Sequence, residues 1–204
     1  MKNKPWFPVL YMFVVTAVFS SVLIGFAQMT RPRVLANERL AFERATLEAF
    51  PEITVPPSPQ IHSLFNTLFE KSEDAAGAYV YRKDGRLVGY AVPVAGKGFW
   101  APIRGVVGVS ADLTMITGIS FYDQNETPGL GARIVEPSFR GQFEGLRVGA
   151  IEKPIGIRPV SEALRDNEVH ALTGATQTCV RLDVLINERL SEWLAAMRQK
   201  GGGQ

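Results

Sequence analysis

A segment rich in small and hydroxylated residues lies directly before the last predicted helix of the chain. Residues 169–179 read VHALTGATQTC. The first N–H groups of a helix have no intrahelical acceptor, so this position favours either a capping side chain or a bound phosphate. A hydroxyl of Thr176 or Thr178 could cap the helix, and a threonine hydroxyl beside a phosphate could also be esterified by it. The residues alone leave both interpretations open.

A second candidate segment is the loop ETPGLG at residues 126–131. The surrounding stretch, residues 125–145, has several glycines and prolines and little regular pattern, which predicts a long ordered loop over a sheet. Loops of this kind commonly hold functional sites. Glu126 could lie near a bound ligand, or it could organise the loop through hydrogen bonds to the backbone.

Residues 96–100 read GKGFW and superficially resemble a phosphate-binding loop. The glycine spacing is wrong and no serine or threonine follows Lys97, so we exclude a P-loop. Trp100 is expected either in the hydrophobic core or beside a ligand.

The chain has one cysteine, Cys179, and two histidines, His62 and His170. This count excludes an internal disulfide framework and leaves little material for a metal centre. We expect Cys179 to be a buried, inert thiol, with the alternative that a helix N-terminus lowers its pKa for redox chemistry.

The composition is that of a globular protein with an apolar appendage. Of the 204 residues, 46% are hydrophobic and 21% are charged, so wholesale disorder is excluded. The net charge is +2 and no strongly basic block is present, so nothing indicates a nucleic-acid partner.

Residues 6–28 predict a single transmembrane helix, preceded by a short N-terminal end at residues 1–5. The run WFPVLYMFVVTAVFSSVLIGFA carries no charge and is about as long as a bilayer core requires. The apolar part of a signal peptide is shorter, and no clear cleavage site follows Ala27. Basic residues lie on both sides of the run, so the positive-inside rule does not decide its orientation.

The remaining chain divides into a membrane-proximal part and one domain. Residues 29–60 predict a helix over 33–50 followed by an extended, proline-rich connector. Residues 61–199 predict the domain, and residues 200–204 a flexible tail.

Within the domain, the pattern predicts an α+β fold. A short helix is expected over residues 63–71. Two β-hairpins should turn at Asp84-Gly85 and near Ala111-Asp112. Residues 181–199 form the last, clearly amphipathic helix. The fold class is therefore an antiparallel sheet with flanking helices, placed after one N-terminal transmembrane helix.

The motif Thr173-Gly174-Ala175-Thr176 resembles the S/T-G-A-T flavinylation motif of FMN-binding domains in two related membrane complexes. These domains belong to the G subunit of the Rnf complex and to the C subunit of the sodium-pumping NADH:quinone oxidoreductase. ETPGLG is similar to the second signature of both families, and GKGFW is similar to an aromatic stretch of the C subunit. The short chain with its single anchor is nearer to the G subunit.

The resemblance implies FMN joined through its phosphate to Thr176 and installed by a dedicated flavin transferase. It places the domain on the periplasmic side of a bacterial inner membrane, anchored in the lipid bilayer by one helix. The implied function is electron transfer within an ion-translocating oxidoreductase, with other membrane and redox subunits as partners. The implied cofactor-binding residues are Thr173, Gly174, Ala175, Thr176, Thr178, Glu126, Thr127, Gly129, Leu130, Gly131 and Trp100.

One position departs from the family pattern. His170 stands where these families usually have an acidic residue, which bears on recognition by the transferase. Two other functions stay open at this point. One is a membrane-anchored assembly or binding subunit without a cofactor, and the other is a flavin-bearing sensor.

Overall fold

The computed structural model describes residues 6–201, and the chain divides into two compact units at residues 1–39 and 40–204. The predicted N-terminal end at residues 1–5 lies outside the described residues. So do the last three residues of the predicted tail, whose first two residues are helical.

The first unit is the N-terminal part of helix α1, Phe7–Glu48. The apolar side chains of residues 9–26 are largely exposed. By length and composition this helix could cross a membrane. The predicted transmembrane and membrane-proximal helices are one helix of 42 residues, about twice the length that a bilayer core requires.

The second unit is built on a six-stranded antiparallel sheet. Consecutive strands are hydrogen-bonded neighbours in the order β1 to β6, so the sheet is a simple meander. The strands are β1 Phe69–Lys71, β2 Tyr79–Lys83, β3 Arg86–Lys97, β4 Pro102–Ser110, β5 Met115–Asp123 and β6 Leu146–Arg147. Two further strands, β7 Gly156–Arg158 and β8 Glu168–His170, form a separate parallel pair.

Helices cover both faces of the sheet. On one face, the apolar side of α4, Thr176–Gly201, packs against the sheet around the buried Trp193. On the other face, the end of α1 and helix α2, Ser58–Leu68, enclose an aromatic cluster around Phe50. A short helix, α3 Pro137–Arg140, lies between 3₁₀ turns at Gly131–Val135 and Gly141–Phe143. The predicted α+β fold is confirmed.

A row of glycines on adjacent central strands seats the turn that ends α1. Gly108 and Gly118 lie against the Ala49 carbonyl, where an added Cβ would come within 2.6 Å and 2.8 Å of its oxygen. Thr117 Oγ1 donates a hydrogen bond to the same oxygen at 2.9 Å. These strands need glycine because the backbone of another element occupies the space of a side chain.

Both predicted hairpin turns are confirmed. Asp84 and Gly85 have φ values of 52° and 75°, the left-handed pair that a type I′ turn requires. In the second turn, Asp112 accepts a hydrogen bond from the Thr114 N–H at 3.2 Å and Leu113 has a φ of 62°.

Two helix boundaries differ from the sequence prediction. Helix α2 begins at Ser58 rather than 63, because Pro57 and Pro59 occupy positions where a missing N–H is tolerated. Helix α4 begins at Thr176 rather than 181, because its first turn is held by contacts from distant loops instead of by an amphipathic pattern.

The glycine row can be tested with Gly108→Ala. The added methyl group would overlap the Ala49 carbonyl, so the free energy of unfolding should fall by about 1–3 kcal/mol. Denaturant titration of the detergent-solubilised full chain, followed by tryptophan fluorescence, measures the change. Gly141→Ala is the matched control, because a Cβ at that position meets nothing within 4 Å. Equal midpoints for the two variants would contradict the steric argument.

Candidate functional site

One buried carboxylate joins the three segments that the sequence singles out. Glu126 is only 5% exposed. Its Oε1 accepts hydrogen bonds from the backbone N–H groups of Phe99 at 2.9 Å and Trp100 at 3.1 Å. Its Oε2 accepts the hydroxyl hydrogen of Thr178 at 2.6 Å. Of the two roles expected for Glu126, the structure shows the loop-organising one, and the organisation extends to the β3–β4 hairpin and to α4.

Two glycines make room for this carboxylate. A Cβ added to Gly98 would lie 2.6 Å from Glu126 Oε1, and one added to Gly131 would lie 3.0 Å from Oε2 and against Thr178 Oγ1. Neither glycine has a left-handed φ, so steric space and not backbone conformation requires glycine here. GKGFW and ETPGLG therefore each contribute one glycine to a single packing arrangement.

The turn before α4 leaves the N-terminus of this helix without a capping side chain from the preceding residue. The Ala175 N–H donates to the Leu172 carbonyl at 3.1 Å, and Gly174 between them has a φ of 81°, the pattern of a type II turn. The Ala175 carbonyl accepts the first helical hydrogen bond, from the Cys179 N–H at 3.0 Å. Ala175 thus holds the N-cap position without a side-chain oxygen, which leaves the first helical N–H groups uncapped by that residue.

The two threonines of this turn have opposite environments. Thr176 is the first residue of α4 and is exposed. Thr178 is 4% exposed and donates its hydroxyl to Glu126. The prediction that either threonine is the capping residue is wrong, because the N-cap is Ala175 and both threonines lie inside the helix. The last helix, which the sequence predicts from residue 181, thus begins at Thr176.

Two clefts meet at Gly174 and Thr176. The cleft on the hairpin side, which we call the hairpin cleft, has a volume of about 250 Å³. Its other walls are Phe99, Thr127, Leu130, Gly131, Ala175, Gln177 and Thr178. The cleft toward β7, which we call the strand cleft, has a volume of about 350 Å³ and a mostly apolar lining that includes Ile157, Pro159, Val160, Leu172 and Val180.

An exposed aromatic pair lies at the rim of the hairpin cleft. Trp100 is 68% exposed and Phe99 is 46% exposed, and their rings contact edge to face with centroids 4.9 Å apart. The Trp100 indole N–H donates to Thr127 Oγ1 at 3.0 Å, which fixes the ring to the ETPGLG loop. The interpretation of Trp100 as a core residue is therefore wrong.

His170 lies on β8, immediately before the turn. Its backbone N–H and C=O are both bonded to the side-chain amide of Gln142, at 2.9 Å and 3.3 Å. Its ring Nδ1 is buried and has no hydrogen-bond partner among the described residues. The ring therefore contributes no polar contact through Nδ1 in the described part of the chain.

Cys179 is a buried thiol, 3% exposed, behind the strand cleft. Burial raises the pKa of its thiol, and the hydrogen bond that its sulfur accepts from the Leu172 N–H at 3.3 Å only partly offsets this. Reactive cysteines have a lowered thiol pKa, so the pKa shift of Cys179 is opposite to theirs. The structure therefore agrees with an inert thiol.

The structure brings most of the predicted binding residues together around Thr176. Gly129 lines neither cleft and lies at an exposed turn, with a φ of 73° and no atom within 4 Å of an added Cβ. Sequence reasoning missed Gly98, Phe99 and the strand cleft. Phe99 stands beside Trp100 in GKGFW, so the same aromatic signal could have found it. Residues 157–160 carried no local signal.

The described residues contain no group of three or more His, Cys, Asp or Glu side chains that could hold a metal ion. The arrangement instead combines an exposed hydroxyl, an uncapped helix N-terminus and apolar walls. These features suit an elongated ligand with a phosphate at one end and an aromatic ring at the other.

Comparison with known proteins connects this geometry to a flavin. Residues 98–191 match the family model described as FMN-binding domain. The C subunit of the Na⁺-translocating NADH-quinone reductase of Pasteurella multocida is 29% identical over 150 residues, which cover 68% of this chain and 55% of that protein. The corresponding protein of Vibrio anguillarum is 38% identical over 90 residues, covering 43% and 35% of the two chains. The chain spans about half the length of such relatives.

Two solved structures share the fold. The C subunit of the Na⁺-translocating NADH-quinone reductase from Parabacteroides distasonis has a TM-score of 0.68 at 21% identity, covering 80% of this chain and 95% of that one. The Shewanella oneidensis NqrC has the same TM-score at 19% identity, covering 82% and 100%. The chain therefore shares the α+β fold of these two structures, residues 98–191 resemble the FMN-binding domain family, and the sequence is similar to the reductase C subunits over the aligned regions.

The burial of Cys179 predicts slow reaction with thiol reagents. Iodoacetamide attacks the thiolate, and burial both raises the thiol pKa and restricts access, so the native chain should be alkylated far more slowly than the unfolded chain at the same pH. Intact-mass spectrometry over time measures both rates. The identical sample in denaturant is the control, and equal rates in the two states would show that the thiol is accessible.

Proposed function

We propose that this chain is an electron-transfer subunit of a membrane oxidoreductase complex and holds FMN through a phosphoester to Thr176. One observation supports this most strongly. Inside the region that matches an FMN-binding domain, the exposed Thr176 hydroxyl lies on an uncapped helix N-terminus at the junction of two clefts.

The N-terminus of α4 fits a phosphate diester. The first N–H groups of the helix and the positive end of its macrodipole, equivalent to roughly half a charge, attract an anion. A diester has about one negative charge. Ala175 has no side-chain oxygen to compete for the same N–H groups. The phosphate would therefore replace the missing cap.

Burial favours Thr176 over Thr178 as the point of attachment. The Thr178 hydroxyl is inaccessible and its hydrogen is committed to Glu126. Thr176 is exposed, and among the described residues its hydroxyl has no hydrogen-bond partner. An enzyme that transfers a flavin nucleotide could therefore reach only one of the two.

Ester formation requires an activated flavin nucleotide. With a flavin dinucleotide as donor, a bond would form between Thr176 Oγ1 and the phosphorus next to the riboflavin part, and the hydroxyl proton would pass to a base of the transferase. In exchange, the pyrophosphate bond of the dinucleotide would break and a nucleoside monophosphate would leave. Direct condensation of free FMN with the threonine hydroxyl would release water, and the free energy of ester formation by loss of water is unfavourable in aqueous solution.

Bound FMN supplies the capacity to accept and donate electrons, and the chain supplies position and surroundings. Phe99 and Leu130 give the hairpin cleft apolar walls, and the backbone of Gly131 can approach a ligand closely. Trp100 is 68% exposed at the rim of the hairpin cleft, so a redox partner could approach the cleft from this side.

The apolar part of α1 would anchor the chain in the bacterial inner membrane with the domain on the periplasmic side. The homologous proteins belong by name to a Na⁺-translocating NADH-quinone reductase, which supports partnership with other membrane and redox subunits. The uncharged run at residues 6–27 contains no carboxylate to carry an ion. Ion movement would therefore belong to those partners, whether the complex is of this type or of the Rnf type.

Flavin attachment is tested by mass spectrometry of the chain isolated from native membranes. The intact mass should exceed the sequence mass by FMN minus water. Fragmentation of the tryptic peptide 166–181 should place the addition on Thr176. Thr176→Ala should abolish it and also the flavin fluorescence of the denatured band, because Thr178, the other hydroxyl in the first turn of α4, is buried and bonded to Glu126. Thr67→Ala, which changes an exposed threonine of α2 outside both clefts, is the matched control and should keep the label.

Each other outcome has a distinct meaning. A label on Thr178 would show that the wrong threonine is assigned. An unmodified wild-type chain would leave a membrane-anchored assembly subunit without a cofactor as the function. Co-purified proteins would identify the parent complex.

Membrane topology is tested with reporter fusions. Alkaline phosphatase fused after Gln204 should be active and green fluorescent protein at the same position should be dark, because the domain is proposed to lie outside the cytoplasm. Fusions at the N-terminus should give the reverse pattern. A bright C-terminal green fluorescent protein would overturn the proposed location.

A further inference from the structure

We infer that Glu126 is the positioning residue for flavin attachment, acting on Thr176 through Thr178. This inference rests on the proposed function. The side chain of Glu126 reaches the first turn of α4 through one hydrogen bond, from the Thr178 hydroxyl at 2.6 Å, and it makes no hydrogen bond to the Thr176 hydroxyl. Its effect on Thr176 is therefore mechanical.

The geometry of the α-helix transmits the effect. Successive residues are rotated by about 100°, so residues two apart point about 200° away from each other. When Thr178 is held inward against Glu126, Thr176 must point outward from the same turn. The bond that fixes Thr178 thus fixes the direction in which the Thr176 hydroxyl is presented.

The first turn of α4 depends on this bond more than most helix ends do. Helix termini fray, and a capping side chain is the usual restraint. Ala175 cannot provide one. The Thr178–Glu126 hydrogen bond substitutes for it, with Glu126 in turn held by the N–H groups of Phe99 and Trp100.

The bond also orders the cleft beside the reacting hydroxyl. Because Glu126 bonds to the hairpin tip and to α4 at once, Phe99 and Thr178 are both held in the lining of the hairpin cleft. Both the nucleophile and part of the surface that receives the flavin are set before the transferase binds. Misplacement of a reacting group by about 1 Å can cost about a hundredfold in rate.

The test compares variants of the full chain, co-expressed with the flavin transferase and purified in detergent. The rate of flavin attachment is read from intact mass during timed labelling. Glu126→Ala and Thr178→Val, which each remove the bond, should lower that rate about tenfold or more. Thr178→Ser keeps the hydroxyl and should restore the wild-type rate. Glu136→Gln, which neutralises a half-exposed carboxylate paired with Arg133, is the matched control and should label normally.

A second readout separates positioning from general loss of stability. Hydrogen exchange of the unmodified chain should be faster at the amides of residues 176–179 in Thr178→Val, with residues 190–197 of the same helix unchanged. Should Glu126→Ala not accumulate, the Thr178→Val and Thr178→Ser pair still decides the question.

The inference is overturned if Thr178→Val labels as fast as the wild type, or if Thr178→Ser is as impaired as Thr178→Val. Those results would leave the proposed function intact, since wild-type labelling at Thr176 is measured in the same series. An unlabelled wild type would instead refute the proposed function. The exchange experiment would then still report whether Glu126 holds the helix start.

Discussion

The site depends on the burial of one carboxylate, Glu126, among neutral donors. An unpaired carboxylate removed from water costs several kcal/mol, so this burial is possible only where donors converge. Two backbone N–H groups and one hydroxyl supply them, from segments that are far apart along the chain. The hydrogen bonds that stabilise the buried carboxylate therefore also hold the hairpin tip, the loop and the start of α4 in one arrangement.

Several residue choices follow from this arrangement. Gly98 and Gly131 are glycine because the carboxylate occupies the space of their side chains. Thr178 needs its hydroxyl as a donor, and Thr176, two residues earlier, is consequently exposed. Three short motifs that look independent in the sequence thus contribute to one packing arrangement, and the Thr176 side chain stays accessible beside it.

The central sheet supplies a fixed base for this cluster. Its two faces are covered by different helices, α4 on one side and the end of α1 with α2 on the other. The glycine row seats the residues after α1 directly on the strands. Buried aromatic packing around Phe50 on the opposite face makes this contact costly to disrupt. The hairpin that carries Phe99 extends from the same strands, β3 and β4.

Local sterics and periodicity determined much of the fold from the amino-acid order. Asp84-Gly85 can adopt left-handed φ values, so this pair predicted a tight hairpin. The uncharged run after Trp6 predicted an apolar helix. The small and hydroxylated residues around Thr-Gly-Ala-Thr indicated a segment directly before the last helix. The role of Glu126, the exposure of Trp100, the early start of α4 and the strand cleft were decided only by the tertiary structure. Each depends on contacts between residues distant in sequence, such as Glu126 and Thr178. No local pattern contains such contacts, because the energy of a buried hydrogen bond exists only after both partners have been brought together.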